Sequence, residues 1–287
     1  MVPTKQRNHI SILLNHKNEN ILIDCGENTQ RQLKIANISP TKITRILITH
    51  WDGDHVLGLP GLIQTLAANE YNRTLYIYGP KKSKEFVVNM QKTYNLKDKI
   101  KFTVTEIKKD GLFLKEKNFS ILAYHLKHTS TCLGYSFIEG DVRKVNIDVL
   151  KKYRIPQGPI IGNLQKGLNI KYEDKIIKFE EATYLKKGKK ISIILDTLLV
   201  PNCYKIAQDS DLLICEATFA NELENKAKAY KHLTAKQAAQ IAKTSNVKKL
   251  VLTHFSQRYK TTQPLLKEAK KIFKNTIASK DFMSLFL

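Results

Sequence analysis

Six consecutive residues, His50-Trp51-Asp52-Gly53-Asp54-His55, hold four side chains that can ligate a metal. They follow an apolar, β-branched run, Ile43–Thr49, that reads as a buried strand. A tight loop at a strand end can turn several side chains toward one point. Imidazole and carboxylate donors together suit zinc, with manganese as the alternative. Three further candidates lie far away in the chain. His128 follows the strand-like run Ile121–Lys127, Asp196 stands near the end of Ile191–Thr197, and His254 near the end of Lys248–Ser256. Any one of these alone reads as an ordinary strand-end residue. As a set on one sheet edge they support a centre for two metals.

The elements that must position these side chains form a mixed α/β pattern. Residues 9–16 and 19–26 read as paired strands joined by a polar turn. Residues 29–38 read as a short helix with Thr29 as its cap, and 58–69 as a helix with Pro60 in its first turn. Strands are expected over 74–80, 99–107, 119–128 and 132–139, with a helix over 81–95. From about 140 to 190 the texture changes to Lys, Pro and Gly, including Tyr153-Arg154-Ile155-Pro156-Gln157-Gly158-Pro159, which reads as an insertion projecting from the core. Strands return over 190–197, 211–219 and 248–256, with helices over 232–246 and 264–275. This order suits an α/β layered sandwich, with helices outside two sheets, and no internal repeat is visible.

Composition narrows the setting. The chain has 287 residues, 42% of them hydrophobic, enough for one large domain with a long insertion. No run approaches the roughly 18 apolar residues of a membrane span. The start, Met1 to Ile10, has no apolar core of a secretory signal, and four cysteines without CxxC spacing read as reduced thiols, so a cytoplasmic protein is expected. A net charge of +22 suggests a polyanionic partner, although only seven of the 48 basic residues are Arg, a skew that genome composition can also produce.

At these residues the chain resembles the metallo-β-lactamase superfamily and, within it, the ribonuclease Z family. Asp24-Cys25-Gly26-Glu27-Asn28-Thr29-Gln30 matches the family's DCGExTQ stretch, and the His50–His55 loop its HxHxDH motif, followed by Gly58-Leu59-Pro60-Gly61-Leu62. His128 with Gly134-Tyr135 matches H-x5-GY. Glu216-Ala217-Thr218-Phe219, His232-Leu233-Thr234-Ala235 with Gln237-Ala238-Ala239, and His254-Phe255-Ser256 with Arg258-Tyr259 match EATF, HxTAxQAA and HFSxRY. The last three are specific to this nuclease branch. The resemblance covers nearly the whole chain and implies a metallo-β-lactamase αββα sandwich, a single domain over 1–287 with a protruding Gly/Pro-rich exosite arm at about 140–185.

The resemblance also implies chemistry. Two Zn²⁺ per subunit, or Mn²⁺, are bridged by Asp196; one site uses His50, Asp52, His128 and Asp196, the other Asp54, His55, Asp196 and His254. Asp52 departs from the family, which has His there, and its shorter, harder donor predicts a weakened first site or a shift toward manganese. Asp54 is the expected general base. His232 is the expected acid, oriented and charged by Glu216; the bland alternative is that His232 only caps the following helix, which Thr234 could do equally well. The implied activity is an endoribonuclease that removes the 3′ trailer of precursor tRNA, leaving a 3′-hydroxyl on the tRNA and a 5′-phosphate on the trailer.

Substrate contact is implied for Lys5, Arg7 and Asn8, in a stretch matching PxKxRN, and for Gly158 and Pro159 in the arm. A homodimer in contact near the helix after GLPGL is implied as well. Only Met1 and Val2 precede PxKxRN, where members of the family resembled usually begin with a strand, so either the start is misassigned or shortened or the sheet opens with a bare edge. The competing reading is a small-molecule phosphodiesterase on the same fold, which has no use for the arm.

Overall fold

A computed structural model of the chain describes residues 1–156 and 158–287, leaving Gln157 of the Pro156–Pro159 stretch outside the described residues. The chain forms two compact units. The first comprises residues 1–114, 121–137 and 190–287; the second comprises 115–120 and 138–189.

The first unit opens with a hairpin of β1 (Ile12–His16) and β2 (Glu19–Ile23), whose turn carries Lys17 at φ 52. Helix α1 (Thr29–Ile35) follows. Its cap position is Asn28, in the left-handed region at φ 70, rather than Thr29. Thr29 is already helical, and its hydroxyl donates back to the Gly26 carbonyl at 2.7 Å. Next come β3 (Arg45–Leu47), one turn of helix α2 (Gly53–Val56), α3 (Leu59–Ala68), β4 (Leu75–Gly79), α4 (Ser83–Thr93) and β5 (Phe102–Glu106). Strands β1 to β5 form one sheet in sequence order, parallel from β2 onward, with β1 at its edge. Leu22, Ile46, Ile48 and Ile77 of this sheet pack with Leu59, Leu62, Ile63 and Leu66 of α3 and Val87 of α4 in one buried cluster.

A second sheet begins with β6 (Gly111–Lys115), β7 (Phe119–Lys127) and β8 (Thr131–Glu139). The chain then enters the second unit: β9 (Val142–Val145), α5 (Ile147–Lys152), α6 (Pro159–Gln165), the hairpin β10 (Ile170–Tyr172) with β11 (Lys175–Ile177), α7 (Phe179–Ala182), and β12 (Thr183–Lys186) antiparallel to β9. This stretch, expected as a Gly/Pro-rich insertion, buries its own core of Ile155, Leu164, Ile170, Ile177 and Ala182. Pro159 occupies the first turn of α6, where a missing N–H costs nothing. The excursion closes on itself, since Glu139 N donates to the Lys189 carbonyl at 2.8 Å and Lys187 pairs with Asp141 at 2.7 Å.

Back in the first unit come β13 (Lys190–Ile194), α8 (Pro201–Ala207), β14 (Leu212–Glu216), α9 (Glu224–Tyr230), α10 (Ala235–Thr244), β15 (Leu250–Thr253), α11 (Gln263–Lys270) and β16 (Thr276–Ala278). The seven-stranded order is β16-β15-β14-β13-β8-β7-β6, parallel from β13 through β16. Helix α10 is small-sided on its buried face, Ala235, Ala238, Ala239 and Ala242, and so lies close against the β14 and β15 side of the sheet. The wholly buried Tyr135 of β8 donates from its hydroxyl to the Ile48 carbonyl at 2.7 Å, tying the two sheets together. The result is the layered sandwich expected. Strands β6 and β16 and helices α8 and α9 are additions, being too short or too exposed to show a period. Among the described residues no helix is long and apolar enough to cross a membrane.

Candidate metal centre

Parallel strands deliver their C-terminal ends to one edge, the usual seat of a ligand site in open α/β sheets. His50 follows β3, Asp196 follows β13, Glu216 ends β14, and His254 follows β15; His128 comes from the end of β7. Two of these turn sharply out of their strands. Asp196 has φ 39 and His254 φ 55, and Asp24, just past β2, has φ 56. None is glycine, so each position carries backbone strain that the surroundings must hold.

The metal-loop candidates from distant segments meet in one place. Asp54, His55, Asp196 and His254 form one cluster, and His50, His128 and Asp196 another that shares Asp196. Asp196 Oδ2 lies 3.4 Å from His55 Nε2, 3.7 Å from His50 Nε2 and 3.9 Å from His128 Nε2; its Oδ1 lies 3.2 Å from His254 Nε2. Asp54 Oδ2 lies 3.6 Å from His55 Nε2 and 3.5 Å from His254 Nε2. Donors about 2.0–2.1 Å from a tetrahedral cation stand roughly 3.3 Å apart, so this spacing is that of ligands around an ion. Among the described residues, the Nε2 atoms of His50, His55 and His254 and Asp196 Oδ1 are buried without a hydrogen-bond partner. Orphaned buried polar atoms are costly, and four aimed into one small space fit a bound cation. The Met1 ammonium pairs with Asp54 Oδ2, a positive charge taken up by the same carboxylate.

The opposite ring nitrogens are all occupied, which orients each histidine. His55 Nδ1 meets Asp24 Oδ2 at 2.6 Å, His50 Nδ1 meets the Thr49 hydroxyl at 3.0 Å, and His254 Nδ1 meets the Thr218 hydroxyl at 3.0 Å. His128 Nδ1 donates to the Lys231 carbonyl at 3.0 Å. The wholly buried Asp24 also accepts from Thr49 N and Oγ1, both at 2.7 Å. Sequence reasoning named Asp24 only as part of a motif. Its residue type was a usable signal, but its 31-residue reach to His55 was not.

Burial works against the charge on Asp196, yet His254 and His55 reverse it and hold the carboxyl well below the usual range. Asp54 is likewise lowered despite burial, through His254 and His55.

Asp52 extends this picture. Its Oδ2 lies 3.5 Å from His128 Nε2 and 3.6 Å from His50 Nε2, and Ser130 donates to its Oδ1 at 3.0 Å. Contact with His128 and His50 holds its carboxyl far below the usual range. It faces two first-site donors, but its side chain is 38% exposed, whereas Asp196 is 4% exposed.

Two glycines let the loops close. Gly58 N donates to the Cys25 carbonyl and Cys25 N to the His55 carbonyl, at 2.9 and 2.8 Å. A Cβ on Gly26 would stand 2.5 Å from the Asp54 carbonyl, and one on Gly58 2.0 Å from the Gly26 carbonyl. Both contacts are with backbone, which cannot swing away.

Beside the cluster, His232 Nδ1 lies 3.0 Å from Glu216 Oε2 and 4.0 Å from Asp196 Oδ2. Glu216 is fully buried and held by Thr197 N and the Thr218 hydroxyl, at 2.7 and 2.6 Å. Burial disfavours charge on His232, but the Glu216 carboxylate outweighs it and pushes the pKa up to about 9. The cap of α10 is Thr234, in a complete capping box with Gln237, so the helix needs nothing from His232. Five of the chain's eight histidines thus gather at this one edge.

The remaining candidates are placed elsewhere. Arg7 Nη2 donates to the Tyr259 carbonyl at 2.7 Å and Asn8 N to Asp281 at 3.0 Å, which fastens the Pro3–Asn8 turn to the end of the HFSxRY stretch; Lys5 is exposed. Gly158 and Pro159 belong to the second unit, which contains none of the metal-cluster residues.

Comparison with known proteins agrees with this geometry. The metallo-β-lactamase superfamily profile matches residues 5–142. Ribonuclease Z of Archaeoglobus fulgidus is 38% identical over 290 residues, covering 99% of this chain and 94% of that protein, and ribonuclease Z of Chlamydia muridarum is 36% identical, covering 98% and 92%. The chain belongs to the ribonuclease Z family. Among solved structures, the short form of human tRNase Z superposes with a TM-score of 0.72 at 27% identity, covering 99% of this chain and 94% of that one. The fold is therefore the metallo-β-lactamase fold and the protein a metal-dependent hydrolase of the ribonuclease Z type.

Proposed function

We propose that the protein is an endoribonuclease that removes the 3′ trailer of precursor tRNA, with two Zn²⁺ per subunit. The observation that carries this reading is the convergence of unpartnered Nε2 and carboxylate atoms beside a buried Glu216–His232 pair.

His50, Asp52, His128 and Asp196 would hold one ion and Asp54, His55, Asp196 and His254 the other. Bound there, the pair supplies an activated water and offsets charge on the scissile phosphate. Asp54 stays ionised and, standing among the donors, can accept the proton of the attacking water. His232 keeps Nδ1 on Glu216 and has Nε2 left to protonate the departing 3′-oxygen; its raised pKa keeps that proton in place at neutral pH. Protonation there leaves a 3′-hydroxyl on the tRNA and the phosphate on the trailer.

The second unit serves as the tRNA-binding arm. Lys152, Arg154 and Lys175 line a hollow of about 210 Å³ there together with Tyr153 and Tyr172, a mixture of charge and aromatic faces that suits folded RNA. Gly158 and Pro159 shape this arm, and Lys5, Arg7 and Asn8 form the turn that meets the acceptor end, with Lys5 the exposed charge. The protein acts in the cytoplasm as a homodimer, in contact near α3. Metal-loaded protein incubated with a precursor tRNA, followed by mapping of the new 3′ end, tests the reading; an intact precursor under conditions where bis(p-nitrophenyl) phosphate is hydrolysed would favour a small-molecule phosphodiesterase instead.

A further inference from the structure

A separate cavity of about 490 Å³ is lined by Lys81, Glu106, Ile107, Lys108, His125 and Thr131. Three different segments bring its polar groups together: Lys81 from the turn after β4, Lys108 from the loop after β5, and His125 from β7. The cavity adjoins the proposed reaction site through the chain itself. His125 precedes the ligand His128 by three residues, roughly 10 Å along an extended strand. Thr131 follows Ser130, whose hydroxyl donates to Asp52.

The charges are arranged to receive an anion. Neither Lys81 nor Lys108 forms an ion pair among the described residues. Of the two carboxylates here, Glu106 is itself part of the lining, and Asp110 is turned to His125 and Asn202. Glu106 Oε1 accepts from Lys84 N at 3.1 Å, and Asp110 accepts from His125 N at 2.8 Å and from Asn202 at 2.9 Å. Asp110 Oδ1 also lies 2.6 Å from His125 Nδ1, which fixes the ring and leaves Nε2 as its unused atom. Burial favours the protonated Asp110 carboxyl, but the hydrogen bonds from His125 and Asn202 outweigh it and keep it lowered. An ordered imidazole and two unpaired ammonium groups around one concavity are what a phosphodiester anion requires.

We propose that this cavity is a subsite for one phosphate of the RNA strand flanking the scissile one, held by Lys81 and Lys108 with His125 as the oriented third contact. The proposal rests on the reading of the protein as a nuclease acting on polynucleotides. It adds a contact that acts on the strand being cut and is distinct from anything the second unit does.

The test pairs a Lys81→Ala/Lys108→Ala protein with precursor RNAs in which single phosphates around the cleavage point are replaced by uncharged methylphosphonates. In the wild-type holoenzyme one flanking position raises KM roughly three- to tenfold when neutralised, the effect of losing two exposed ion contacts. In the double variant KM is already raised by that factor, and neutralising the same position adds nothing. The slope of log KM against log salt falls by about 0.7, the value for one single-strand phosphate. A Lys271→Ala/Lys274→Ala protein serves as a control for general charge loss and keeps the sensitive position. If no position couples to Lys81 and Lys108 while the wild type cleaves the unmodified RNA, the subsite is refuted. If the wild type does not cleave the RNA at all, the nuclease reading itself has failed.

Discussion

Replacing Glu216 by Gln tests the acid half of the chemistry through its pH dependence. Glu216 Oε2 is 3.0 Å from His232 Nδ1, and its charge is the main reason that His232 sits at about 9 rather than its ordinary 6.5. Glutamine keeps the volume and an acceptor for Thr197 N but removes the charge. With a pKa of 9, about 90% of His232 carries its proton at pH 8; at 6.5, about 3% does. The sign follows directly: the acid is lost as pH rises through the folded-state value, so the variant loses it at lower pH. Glu216→Gln is expected to cleave roughly 30-fold more slowly than wild type at pH 8 and less than twofold more slowly at pH 6. The assay is single-turnover cleavage of precursor tRNA between pH 5.5 and 9, with metal content measured on the same samples. A rate ratio that stays constant across pH, at unchanged metal content, would falsify the assignment of Glu216 as the charge that holds the proton on His232.

Further expectations concern the metal, the loops and the second unit. Asp24→Asn removes the carboxylate that orients His55 and should weaken metal binding by roughly 10- to 100-fold, read by chelator competition. Asp52→His should tighten the first site by about tenfold, and metal titrations that show identical affinities in both proteins would contradict a weakened site. Gly26→Ala drives a Cβ into the Asp54 carbonyl and should cost about 1–3 kcal/mol in urea unfolding, with metal affinity falling alongside. Replacing residues 142–186 by a short Gly/Ser link, between ends that already hydrogen-bond, should raise KM for precursor tRNA and spare bis(p-nitrophenyl) phosphate; loss of both activities would show that the segment supports the fold instead.

What could be read without coordinates were features carried by short stretches of chain. The His50–His55 loop announces a metal because four donors fall within one turn of backbone, and strand ends at His128, Asp196 and His254 announce themselves by the apolar runs before them. Long, strongly patterned elements such as α3, α4 and α10 were legible for the same reason. Tertiary structure decided the rest. Nothing local shows that Asp24 clamps His55, that Thr218 joins Glu216 to His254, or that Lys81, Lys108 and His125 share a cavity; each depends on strand order and register across tens of residues. The texture of residues 140–190 reads as an insertion but does not show its core, because Gly and Pro break periodicity; five scattered apolar side chains give it one once two short strand pairs bring them together. Donor chemistry resides in residue type and spacing, whereas orientation, burial and shared charge arise only when distant segments are packed side by side.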